Sequence, residues 1–245
     1  MSQQFNFGSG DLILIPNTTL ATPVPFNALQ DFELDFKFDK KTLHGQKQFP
    51  LAVARGKGSI TGKFKDASVN GGMFNSTFFG DTSAVGQFIL AVKEAGSVPA
   101  ATTYTITVSN SATFVLDCGV IDAATGSSFV KVASSPAAGE YSEAAGVYTF
   151  AEADASTDVA ISYTYTTTSG GTTTTLTNKL MGAAPQFKAI YSTEYDGKKF
   201  TVQLNACQSD DLKMSAKNDD FMIPEISFEA FADAAGNLGI VSLVG

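Results

Sequence analysis

The sequence has very few of the residues on which most catalytic and metal sites depend. Among 245 residues there is one histidine, His44, no tryptophan, and two cysteines, Cys118 and Cys207. One histidine and two distant cysteines cannot supply the usual ligands of a zinc site. No Gly-x-Ser-x-Gly elbow accompanies the histidine, which disfavours a hydrolase. The sequence therefore predicts a protein that is not an enzyme and that has no catalytic residue, metal or cofactor.

An excess of basic residues and long apolar runs are also missing. The net charge is −8, which disfavours a role in coating nucleic acid because acidic surfaces repel phosphate. No stretch reaches the roughly 18 apolar residues of a membrane-spanning helix, and the start Met-Ser-Gln-Gln-Phe-Asn-Phe lacks the pattern of a secretory leader. We therefore expect a soluble protein with no membrane partner, and reduced cysteines.

The 20 phenylalanines favour β-strands, and the 22 glycines suit the turns between them. From 31 to 38, phenylalanine or leucine alternates with a charged residue, mostly acidic, and from 52 to 65 the alternate positions are mostly basic. This period of two predicts two strands, each with one buried face. If they pair antiparallel, opposite charges attract across them. The residues predicted to balance one another are Asp31, Glu33, Asp35, Arg55, Lys57, Lys63 and Lys65.

Between these strands, residues 39–51 are too many for a tight hairpin turn. A long ordered loop in a compact domain is more often functional than idle, and this one contains apolar residues. We therefore predict a projecting loop that contacts another copy of the protein. The predicted contact residues are Leu43, His44, Gln46, Phe49 and Leu51.

After Asp66 the period of the apolar residues becomes helical. Residues 69–78 place apolar side chains on one side of a short helix, which Ser68 or Asn70 caps and Gly80 ends. The alternative is a buried loop rich in asparagine and glycine.

The composition shifts to alanine, serine and threonine in residues 95–177, where turn signals separate short strands. This segment has seven acidic residues and one basic residue, so it carries −6 and leaves −2 for the rest of the chain. The sequence therefore predicts an all-β fold with one short helix. A β-barrel or sandwich core (1–94 and 178–245) is split by an inserted small β-sandwich (95–177).

Several runs resemble the major tail tube proteins of long-tailed bacteriophages with non-contractile tails. They are Gly-Asp-Leu-Ile-Leu-Ile-Pro at 10–16, Thr-Pro-Val-Pro-Phe-Asn-Ala-Leu-Gln-Asp at 22–31, Leu-His-Gly-Gln-Lys-Gln-Phe-Pro-Leu-Ala-Val-Ala-Arg-Gly-Lys-Gly at 43–58, and Asn-Gly-Gly-Met-Phe-Asn at 70–75. Tyr141, Gly-Val-Tyr-Thr-Phe at 146–150 and Ile-Ser-Tyr-Thr-Tyr at 161–165 resemble the immunoglobulin-like insertion of some of these proteins. The insertion lacks the tryptophan and cysteine pair of a true immunoglobulin domain.

The resemblance implies a structural virion protein that forms hexameric rings. The rings stack into the tail tube, the conduit for DNA ejection into the host, and the DNA passes without specific binding. It also implies contacts with the tape measure, tail terminator and distal tail proteins, assembly in the bacterial cytoplasm, and an inter-ring contact through residues 39–54. The charged residues named above then lie at the lumen or between subunits, and which face they take stays open. The alternative is a capsid decoration protein, or an adhesion or binding module, that displays a β-sandwich.

Overall fold

The computed structural model describes residues 4–18, 21–68 and 71–243. About 56% of the chain is strand and 6% helix, which confirms the predicted all-β class. The strands in chain order are β1 (Asp11–Pro16), β2 (Val24–Phe26), β3 (Leu29–His44), β4 (Pro50–Asp66), β5 (Ser83–Val85), β6 (Phe88–Ser97), β7 (Thr105–Thr107), β8 (Phe114–Asp122), β9 (Val130–Lys131), β10 (Glu140–Ala144), β11 (Val147–Phe150), β12 (Asp158–Thr166), β13 (Thr172–Thr174), β14 (Gln186–Tyr195), β15 (Lys198–Lys213), β16 (Glu225–Phe231) and β17 (Gly239–Leu243).

The chain forms two compact units. The first contains the residues up to Ser83 and from Thr174 onward, and the second contains Ala84–Thr173. The second unit begins about ten residues before the predicted boundary at 95, because β6 pairs along its length with β12. It ends before 177, since Thr174 already belongs to the first unit.

The first unit is built on one sheet with the strand order β2-β1-β14-β15-β16-β4-β3. The long strand β15 pairs along one edge with β14, and along the other with β17 and then β16. Rings from strands that are not neighbours in this order meet across the core. Phe26 lies 4.8 Å from Phe64, and Phe32 stacks on Tyr191 at 3.9 Å between ring centroids. The sheet therefore folds over on itself around a single apolar core.

A short helix covers part of this core. α1 (Gly71–Phe74) continues into a π-helical turn (Asn75–Phe79), and Gly80 ends it with a φ of 62°, as predicted. Phe74 and Thr77 are buried. The predicted cap Asn70 and its neighbour Val69 lie outside the described residues.

The second unit has a four-stranded sheet, β7-β11-β10-β9, and a three-stranded sheet, β6-β12-β8, around an aromatic-rich core. The Asp117 carboxylate is almost fully buried and accepts hydrogen bonds from Tyr141 Oη at 2.7 Å and Tyr148 Oη at 2.9 Å. Lys131 Nζ lies 2.9 Å from it. Burial raises the pKa of Asp117, but the hydrogen bonds from Lys131, the tyrosines and the Gly119 amide outweigh it and hold the pKa below its ordinary value.

Candidate assembly surface

The strands β3 and β4 form one long antiparallel hairpin. Their pairing runs from Leu29 opposite Asp66 to His44 opposite Pro50. The loop predicted at 39–51 is therefore wrong in its extent, because only residues 45–49 lie outside the strands. Two register shifts, after Phe38 and after Leu43, let the pairing continue.

The half of the hairpin in which β4 also pairs with β16 is packed. We call it the body half, residues 29–36 and 59–66. Ile60 and Phe64 are buried on one face, and Phe32 and Leu34 pack against the same core. Phe36 follows the same alternation but is 50% exposed. The expectation that the buried face extends from Phe32 to Phe38 is therefore wrong, since the core ends near Leu34 and Ile60.

The other half projects, and we call it the arm, residues 37–58. Every side chain of the arm is exposed on both faces of the ribbon. At about 3.4 Å per residue, its eight-residue strand from Lys37 to His44 extends roughly 27 Å beyond the body half. At its base, Phe38 and Gly58 line a groove together with Leu238 and Ile240 of the first unit.

The predicted contact residues lie together at the tip of the arm. Leu43 and His44 end β3, Gln46 and Phe49 lie in the connection, and Leu51 is near the start of β4. The apolar members are strongly exposed, at 63% for Leu43, 80% for Phe49 and 69% for Leu51. The structure thus places these five residues, apolar and polar, at one end of the arm.

The arm is basic, whereas the rest of the chain is acidic. The arm has six basic residues and one acidic residue, a net charge of +5. Since the whole chain has a net charge of −8, the residues outside the arm carry −13. Lys40 lies directly opposite Arg55 across the ribbon. Like charges at opposed positions are destabilising. The Arg55 guanidinium also lies 4.8 Å from the centre of the Phe38 ring, in a cation–π contact.

The outer face of the body half carries charges of both signs. Asp31 lies opposite Lys65 and Glu33 opposite Lys63. The Asp31 carboxylate is 3.6 Å from Lys65 Nζ. Opposite charges therefore face each other across these two strands, in the register that an antiparallel pairing requires.

Glu225, at the start of β16, joins the same group of charges and was missed from the sequence. Its carboxylate lies 2.9 Å from Lys63 Nζ and 3.7 Å from Lys65 Nζ. The hydrogen bond from Lys63, helped by the charges of Lys65 and Lys213, holds the pKa of Glu225 below its ordinary value. Only strand pairing across 160 residues of sequence brings it there, so no local pattern could have indicated it.

Three of the predicted charge partners lie elsewhere. Asp35 is opposite Thr61 and contacts Lys37 of its own strand at 2.5 Å. Arg55 and Lys57 belong to the arm and are not opposite any of the three acidic residues. The register shift after Phe38 separates the two groups.

No three His, Cys, Asp or Glu side chains in the described part of the chain are close enough together to hold a metal ion. None of the helices between residues 4 and 243 that the structure describes has the length and apolar character to cross a membrane.

The chain was also compared with known proteins. No model of a protein family matches it, and no curated protein is significantly similar to it. Function is therefore inferred from the residues and their geometry.

Proposed function

We propose that this protein is a structural subunit that assembles with copies of itself into rings, which stack into the tail tube of a long-tailed bacteriophage. The observation that carries the proposal is the arm, a ribbon of 22 exposed residues with apolar side chains at its tip. The resemblance stated above supports hexameric rings, a virion location, and contacts with tape measure, terminator and distal tail proteins.

The physical argument starts from the weakness of an isolated ribbon. A two-stranded hairpin without a packed face is marginally stable in water. Phe49 and Leu51 would also expose apolar surface permanently in a monomer, and exposed apolar surface of this kind usually marks an interaction site. An arm of this length is explained when a neighbouring subunit covers it.

The charged outer face of the body half fits the wall of a conduit for DNA. Asp31, Glu33 and Glu225 face Lys63 and Lys65 in a nearly balanced group. A lining with balanced or slightly negative charge does not retain phosphate, whereas a basic lining would hold the DNA in place. We therefore assign this face to the lumen.

The test is to shorten the arm. Phe38 is paired with Gly58, so residues 39–57 can be replaced by Asn-Gly, which forms a two-residue hairpin turn. The wild-type protein should form rings or tubes by negative-stain microscopy. The shortened protein should remain a folded monomer by circular dichroism and light scattering, because no core residue is removed.

A control variant removes exposed apolar surface elsewhere in the first unit. Met181 is fully exposed, so Met181→Ser should form tubes like the wild type. Tubes of normal length from the shortened variant would contradict the role of the arm. A wild-type protein that stays monomeric would contradict tube formation and favour the decoration or binding module.

A further inference from the structure

In a tube whose rings all point in the same direction, each subunit presents different surfaces at its two ends. If all subunits point the same way, the arm of one ring meets the opposite end of a subunit in the next ring, which is a heterologous contact. The register of the sheet identifies that opposite end. The arm adjoins the end of the body half at Ile60. At the other end of the body half, Lys65 pairs with Glu225, and Glu225 pairs with Lys213. The connection between β15 and β16, residues 214–224, therefore lies at the end of the sheet away from the arm.

We propose that this connection, which we call the far-end loop (residues 214–224), is the receptor for the arm tip of a second copy. The inference rests on the proposed function and names the partner surface of the same site. The loop is held to the sheet by the Asp66 amide, which donates to the Pro224 carbonyl at 3.3 Å. It is therefore anchored at the place where an arriving arm would dock.

The first support is exposed apolar surface at both ends. Phe221 is 88% exposed and Met214 is 56% exposed in the far-end loop. Phe49 and Leu51 are similarly exposed at the arm tip. Each surface exposes apolar area that the other can cover, and burial of apolar area is the main driving force of association.

The second support is charge. The far-end loop itself has a net charge of −1, and the strand ends that flank it, residues 210–213 and Glu225, bring the total to −3, against +5 for the arm. Glu225 is already paired with Lys63 and Lys65. None of the ion pairs formed by the described residues includes Asp210, Asp219 or Asp220. Four lysines of the arm are likewise in none of these ion pairs: Lys40, Lys41, Lys47 and Lys57. An acidic partner also relieves the repulsion between Lys40 and Arg55, which the free arm leaves uncompensated.

A competing receptor lies at the base of the arm. An apolar groove of about 380 Å³ is lined by residues that include Phe36, Phe38, Leu238 and Ile240. It could accept an apolar side chain, but none of the described residues that line it is acidic. The groove therefore offers no partner for the basic arm, and the far-end loop offers both components.

Charge reversal tests the pairing. Lys41→Glu with Lys47→Glu reverses charges of the arm, and Asp219→Lys with Asp220→Lys reverses charges of the loop. All four side chains are exposed, so each variant should fold, which circular dichroism checks. Each pair alone should reduce the mass of sedimentable tubes about tenfold at low salt, and both pairs in one chain should restore assembly, because complementary charges set partner choice.

Engineered cysteines locate the contact. In a Cys118→Ser background, Phe49→Cys with Phe221→Cys should give a ladder of covalent multimers on mild oxidation, while Phe49→Cys with Ile240→Cys should not. Cys207 is buried and stays out of the reaction.

The outcomes separate this inference from the proposed function. Tubes that are cross-linked through the groove cysteine, or through neither cysteine, overturn the far-end receptor and leave tube formation standing. Reversed pairs that assemble as the wild type does, or a fourfold variant no better than the weaker pair, overturn it as well. A monomeric wild-type protein overturns both proposals.

Discussion

The two halves of the β3–β4 hairpin have the same secondary structure but opposite surroundings. In the body half, Phe64 is 1% exposed and packs against the rings of Phe26 and Phe228. In the arm, Phe49 is 80% exposed. One half of the hairpin therefore packs in the core of the subunit, and the other half is exposed. The difference shows that the packed and the exposed residues of one continuous element are separate, so the proposed role of the arm in assembly can be tested without disturbing the core.

The largest contrast is expected from aromatic deletions. Phe64→Ala should lower the free energy of unfolding by about 3–5 kcal/mol, because it removes a buried ring and leaves a cavity. Phe49→Ala should change it by less than about 0.5 kcal/mol, since the ring is exposed. Urea unfolding under conditions that keep the protein monomeric measures both values, as assembly would add its own stabilisation. A comparable loss from Phe49→Ala would show that the arm packs on the body.

A smaller contrast is expected from two glycines of β4. A Cβ at Gly62 would overlap the Phe228 ring, whereas a Cβ at Gly56 would meet only the side chains of Asp39 and Lys41, at 3.2 to 3.3 Å. Gly62→Ala should therefore cost about 1–3 kcal/mol through overpacking. Gly56→Ala should be close to neutral because the exposed Lys41 chain can move. Thermal unfolding of the two variants side by side checks this, and equal losses would refute the division into a packed and an unpacked half.

The smallest effect is expected from charge in the body half. The pKa of Glu225 is lowered in the folded protein, so its contribution is fully present above the ordinary glutamate pKa near 4.3 and is lost as the pH falls through the lower folded value. Glu225→Gln should remove up to about 1 kcal/mol at neutral pH. The stability of the Glu225→Gln variant should also fall less than that of the wild type below pH 4.

The matched arm variant for this measurement is Lys57→Gln. Lys57 is exposed and makes no ion pair among those of the described residues. Urea midpoints between pH 3 and 7 should therefore separate Glu225→Gln from the wild type and leave Lys57→Gln on the wild-type curve. Identical curves for all three proteins would show that the Glu225 ion pairs contribute nothing.

Much of the fold could be predicted because its strands have one buried face. The alternation of apolar residues located the body half, where Ile60 and Phe64 are buried. The end of the helix at Gly80 followed from the left-handed conformation that glycine adopts readily. Each of these features has a local physical cause that is visible within a few residues.

Other features have no local cause and were wrong or missed. Residues 39–44 and 50–51 of the arm read as a loop because a ribbon exposed on both faces has no reason to alternate apolar and polar residues. The predicted boundary at 95 cuts through β6, because its pairing partner β12 lies some 70 residues later. For the candidate site, the five tip residues could be named from sequence, whereas Glu225 and the far-end loop could not.

The sequence by itself determined the strand class, the opposite signs of charge on the two strands of the body half, and the apolar residues of the tip. These depend on the period of two in a strand and on side-chain type, which are local properties. Only the tertiary structure decided where the core stops along the hairpin, which carboxylate meets Lys63, and which end of the sheet lies opposite the arm. Those depend on the register of strands that are distant in sequence, and register is set by how the whole buried face fits together.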